Sequence, residues 1–69
     1  MAQVKVFYDR IGNTLTVWFG EPQDEYICEE TGEVILMKDK AGRVIGFEKL
    51  NFSVPTSEQL RVAFEAVAA

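Results

Sequence analysis

Apolar and polar residues alternate with period two along the start of the chain. Val4, Val6 and Tyr8 alternate with Gln3, Lys5 and Phe7; after a break, Leu15, Val17 and Phe19 alternate with Thr14, Thr16 and Trp18. Such alternation sends successive side chains to opposite faces of a strand, and these β-branched and aromatic residues suit a pleated surface. The break, Asp9-Arg10-Ile11-Gly12-Asn13, has turn chemistry, so residues 4–19 read as a hairpin. Residues 33–50 repeat the plan. The run Val34-Ile35-Leu36-Met37 leads to the turn Asp39-Lys40-Ala41-Gly42, and a strand returns from Arg43 to Leu50. Asp suits the first position of a type I turn, and Gly42 is free to take positive φ. The unbroken apolar run needs cover on both faces. Gly46, inside the returning strand, marks a bulge or a close approach.

Between the hairpins, Gly20-Glu21-Pro22-Gln23-Asp24-Glu25 is a polar break. Tyr26-Ile27-Cys28 forms a short strand in this reading, followed by an acidic turn, Glu29-Glu30-Thr31-Gly32. The period changes near the C-terminus. Thr56-Ser57-Glu58-Gln59 has capping-box form after Pro55, and Leu60, Ala63, Phe64 and Val67 recur at helical spacing. The pattern predicts an α+β domain over residues 1–69: an antiparallel β-meander of about four strands within residues 1–53, and one C-terminal α-helix over 55–68 packed on one face.

Phe7 and Trp18 fall opposite the main aliphatic set, so the sheet is expected to be apolar on both sides. One short helix covers one side. Phe7, Trp18, Phe47 and Phe52 are therefore the candidate interface residues. Size strengthens this expectation. A chain of 69 residues buries only about 60% of its unfolded surface, and small folds usually add disulfides, a metal or a partner. Cys28 is the sole cysteine and His is absent, which excludes an internal disulfide and argues against a structural zinc site. Self-association remains, so a homodimer is predicted, through the uncovered face or the strand edges.

Charge narrows the partners. The net charge is −4, and none of the seven basic residues are adjacent, so nucleic-acid binding is not expected. A small basic protein is the alternative partner. No apolar run approaches the ~20 residues that span a membrane, and Met1-Ala2-Gln3 lacks a signal-peptide pattern, so a cytoplasmic location is expected.

Little in the sequence suggests catalysis. Without His, no Ser-His or Cys-His pair can form. Glu29 and Glu30 beside Cys28 are expected to raise its thiol pKa and quiet it. Those carboxylates read as a solvated turn, since no spacing matches a calcium loop. Glu48 alternates with Val44, Gly46 and Leu50, an unusual place for a carboxylate, which needs a partner there. A site built from Glu48, Tyr8 and Asp9 is disfavoured because Tyr8 and Asp9 diverge on one strand. The chain is read as a non-enzyme, with no catalytic residues, cofactor or metal.

Two blocks carry a resemblance. Tyr8-Asp9, Asn13, Leu15 and Val17 form the first; Val34-Ile35, Asp39, Gly42, Val44-Ile45-Gly46-Phe47-Glu48 and Leu50 form the second and more specific one. Over residues 8–53 the chain resembles domain-of-unknown-function family 2283. The resemblance implies a small bacterial protein of undefined biochemical role, and some members accompany small toxin-like proteins as antitoxins. It implies no catalytic residues. Met37, Ala41 and Asn51 stand where the family commonly has acidic residues, which weakens any cation site those acids would suggest.

Overall fold

The computed structural model describes residues 3–68. Its strands are β1 (Lys5–Asp9), β2 (Thr14–Trp18), β3 (Ile27–Thr31), β4 (Val34–Lys38) and β5 (Val44–Lys49), with a 3₁₀ turn over Pro22–Asp24. Aspartates organise two of the turns. In β1–β2, Asp9 Oδ1 accepts the N–H groups of Ile11 and Gly12 at 2.9 and 3.0 Å. In β4–β5, Asp39 Oδ1 accepts those of Ala41 and Arg43 at 3.0 and 2.9 Å. There the Gly42 N–H also donates to the Asp39 carbonyl at 3.0 Å, and Gly42 sits at φ +85°. A side chain that satisfies two backbone donors makes a turn self-contained, which is why both were legible locally. The β3–β4 turn needs only Gly32 and Glu33, with Gly32 at φ +70°, the positive value that a two-residue hairpin loop requires.

All pairings are antiparallel, in the order β1-β2-β5-β4-β3. Two features of the expected α+β fold are thereby corrected: the described residues form five strands, and these do not form a meander. β5 inserts between β2 and β4, so the chain leaving β2 crosses to the far edge before β3 begins. Gly20 permits this crossing. A Cβ there would lie 2.7 Å from the Ile45 Cβ, and the Phe19 and Gly20 N–H groups both donate to the Ile45 carbonyl at 2.9 Å. Ile45 is also where the ladder slips: Met37 pairs with Gly46 and Lys38 with Val44, leaving Ile45 as an extra residue. The acidic turn is likewise corrected. Glu29 and Glu30 lie within β3, an edge strand, where charged side chains discourage further pairing.

The C-terminal helix over 55–68 is not formed; the described residues contain no α-helix. A turn closes at the expected cap, with the Glu58 N–H donating to the Pro55 carbonyl at 2.9 Å, but no helix follows. Phe64 and Val67 are 87% and 90% exposed. Isolated helices shorter than ~12–15 residues are marginal in water and depend on packing an apolar face. Here the chain just upstream occupies the adjoining part of the sheet. Phe52 stacks edge-on against Tyr8 with ring centroids 5.8 Å apart. The Val54 N–H donates to the Tyr8 hydroxyl at 2.9 Å, and Arg10 reaches the Glu58 carbonyl at 3.2 Å.

The result is a one-layer sheet. Among the described residues the buried apolar set is Met37 and Ile45, at 4% and 9% exposure.

Candidate functional site

Cross-strand register assigns the paired strand residues to faces. One face carries Phe7, Thr16, Glu48, Ile35 and Glu30 in one row, and Lys5, Trp18, Gly46, Met37 and Cys28 in the next. The other carries Val6, Val17, Phe47, Leu36 and Glu29, then Tyr8, Leu15, Lys49, Val34 and Thr31. We call these the Trp18 face and the Phe47 face.

On the Trp18 face, Gly46 lets the indole lie flat on β5. A Cβ at Gly46 would come within 2.8 Å of both Trp18 Cε3 and the Val17 carbonyl oxygen. Beside the indole is an open concavity of about 430 Å³, floored by Trp18, Ile35 and Met37 and rimmed by Thr16, Cys28, Glu25, Glu30 and Glu48. The Cys28 thiol donates to the Glu25 carboxylate. That hydrogen bond is the main reason the thiol pKa is raised; desolvation and the charges of Glu25 and Glu48 add to it. Sequence reasoning anticipated the direction but credited Glu29 and Glu30. The pleat sends Glu29 to the opposite face, where it pairs with Lys38 at 2.5 Å. A thiol held protonated by a neighbouring carboxylate is a poor nucleophile.

The triad considered from sequence does not assemble. Glu48 lines the concavity, whereas Tyr8 lies on the other face and anchors Val54, and Asp9 is committed to its turn. Among the described residues, no group of three His, Cys, Asp or Glu side chains is arranged to hold a metal ion.

The four candidate interface aromatics divide between the faces. Phe7, 56% exposed, and Trp18 lie on one, Phe47 and Phe52 on the other, so they form no single patch. What sequence reasoning missed is the apolar row Val6, Val17, Phe47 and Leu36, which crosses β1, β2, β5 and β4 without a polar interruption. The signal for Val6 and Val17 was present in the alternation. Leu36 was hidden in an unbroken apolar run, and its alignment with Val17 depends on β5 lying between them.

The Phe47 face is electrically balanced. Lys38 pairs with Glu29, and Lys49 with Glu33 at 2.7 Å. The Lys49 ammonium donates to Glu33 and holds that carboxyl below its usual range. At the β4–β5 turn, the Arg43 backbone N–H is the main cause of a lowered Asp39 pKa, partly opposed by desolvation, with the Arg43 charge assisting.

Among the described residues, no helix is long and apolar enough to cross a membrane. No curated protein matches the chain, and no solved structure matches it. The profile of the family described as "Protein of unknown function (DUF2283)" matches residues 5–53, from the first residue of β1 to just beyond β5, and the chain belongs to that family.

Proposed function

We propose that this chain is a non-catalytic interaction module that works as a homodimer in the cytosol. The observation carrying this reading is the missing second layer. A folded monomer of 7.8 kDa is expected to expose about 4,400 Å², whereas this chain exposes 5704 Å². The difference, 5704 Å² less about 4,400 Å² or about 1,300 Å², is shared between the uncovered sheet and the extended C-terminal segment, where Val62, Phe64 and Val67 are 66%, 87% and 90% exposed. A sheet that is apolar on one face must bury it against something. The chemistry favours a non-enzyme. Cys28 is quieted by Glu25, Tyr8 and Asp9 serve structure, and neither shares a site with Glu48.

Sedimentation equilibrium of the full chain tests the reading. A mass twice 7.8 kDa at high micromolar concentration is expected. A folded species that stays at the single-chain mass would overturn it.

A second reading is favoured by one feature. Glu25, Glu30 and Glu48 rim the concavity beside Trp18, and the net charge is −4. This suits a small basic protein as partner, in the manner of an antitoxin masking its target. Affinity capture at low salt tests it, because ionic contacts between exposed charges weaken over a Debye length of about 10 Å at 0.1 M. A stoichiometric small basic protein released by added salt would support this reading. Recovery of the chain alone would remove it.

A further inference from the structure

We infer that the two copies meet through the Phe47 face, a second copy of this chain being its occupant, and that the Trp18 face stays open. The inference rests on the homodimer reading and adds which surface is used. Val6, Val17, Phe47 and Leu36 make one row of direct cross-strand neighbours over four strands. Val6 is 37% exposed, and the other three are half-buried. Buried interface centres are apolar and depleted in charge, which describes this row.

Charge chooses between the faces. A two-fold dimer sets each surface against its own copy. On the Phe47 face the nearby charges are already paired within the chain, Lys38 with Glu29 and Lys49 with Glu33. Joining two such faces brings no excess of either sign together. On the Trp18 face, Glu25, Glu30 and Glu48 would meet the same three residues of the second copy, with Lys5 on the edge strand as the cation that register places there. Desolvating like charges without partners is strongly unfavourable. The Trp18 face is also partly self-covered, since the indole lies on Gly46, the register partner of buried Met37. Edge pairing is opposed at β3 by Glu29 and Glu30.

Ile35 and Leu36 make a matched test, because they are neighbours on β4 that point to opposite faces. A lysine at either position burdens the same strand. Leu36→Lys is expected to raise the dimer dissociation constant about 30-fold or more, the usual scale for an interface hot spot. Ile35→Lys, set between Glu48 and Glu30, is expected to leave it within a few-fold. The reverse pattern would overturn the inference in favour of the Trp18 face, and two unaffected dimers would overturn it in favour of an edge. In either case the homodimer reading stands, whereas a monomeric parent chain removes both. Should Leu36→Lys fail to fold, isotope-filtered NOE spectra of a mixed labelled and unlabelled parent sample decide the matter. Contacts between copies are expected at Val17, Leu36 and Phe47. Contacts at Ile35, Met37 or Trp18 instead would overturn the proposal, as would contacts confined to β1 or β3.

Discussion

Ile35 and Leu36 differ by one step along β4 and belong to different environments. Leu36 continues an apolar row that begins at Val6, whereas Ile35 lies between Glu48 and Glu30. The Trp18 face completes part of its own cover, with an indole laid over a glycine and carboxylates left in solvent. The Phe47 face receives cover at one end only, where Phe52 and Val54 reach Tyr8. A single layer of strands thus buries Met37 on one side and leaves the row Val17, Phe47 and Leu36 only half-buried on the other. Total hydrophobicity does not separate the two; the placement of charge does.

The largest effect should come from removing the core residue of the Trp18 face. Met37→Ala is expected to lower unfolding stability by about 2–5 kcal/mol, which is severe when a chain of this length holds roughly 3–10 kcal/mol in all. Its burial is internal, so denaturant titrations should show the same loss at every protein concentration. Phe47→Ala should behave differently. Its penalty should grow with concentration if the chain dimerises through this face as proposed, because a dimer stabilises the fold by mass action. Equal losses at low and high concentration would erase the distinction between the faces.

A smaller loss is expected from Gly46→Ala. The new methyl would crowd Trp18 and the Val17 carbonyl, and overpacking typically costs about 1–3 kcal/mol. In a domain of this size each kcal/mol lowers Tm by about 4–8 °C. A shift in Trp18 fluorescence should accompany the loss. An unchanged Tm and spectrum would show that the indole does not lie on β5.

Acid should weaken the fold gradually. Glu33 and Asp39 have lowered pKa values in the folded chain, so their stabilising effect is present above the unfolded values of 4.5 and 3.8 and is lost as pH falls through the lower folded values. Thermal melts from neutral pH downward should show Tm constant until about pH 5 and falling below it. Glu33→Gln should remove part of that slope, and an identical slope in the variant would contradict the role of the Lys49 pair.

The smallest predicted effect concerns reactivity. Cys28 is exposed, yet its raised pKa should make it alkylate more slowly than an ordinary thiol near pH 8.5. Glu25→Gln should speed the reaction. The linked effect on stability has the opposite sense to that of the carboxylates. It is present below the unfolded thiol value of 9.0 and lost as pH rises through the higher folded value.

How much of this was legible in the sequence follows from the range of the interactions. The Asp9 and Asp39 turns close within four residues, so side-chain chemistry announced them. Gly46 was recognised as a bulge or a close approach, and it stands next to the one while providing the other. The position of β5 was not legible, because it depends on Gly20 passing Ile45, residues 25 positions apart. The acidic pair Glu29-Glu30 was read as a turn because charge suggests solvent, but an edge strand is solvated too. The C-terminal stripe has helical period, yet period supplies no packing partner. The aromatic set was grouped by type, and only register showed that the pleat divides it.

Trp18 is the only tryptophan, which allows the contrast between the faces to be read in the unaltered chain. Acrylamide quenching of its fluorescence should be followed as the protein is diluted through the dissociation of the proposed dimer. An unchanged quenching constant is predicted, because the Trp18 face is open in both states. A constant that rises on dissociation would contradict the account, since it would mean that the second copy covers the indole.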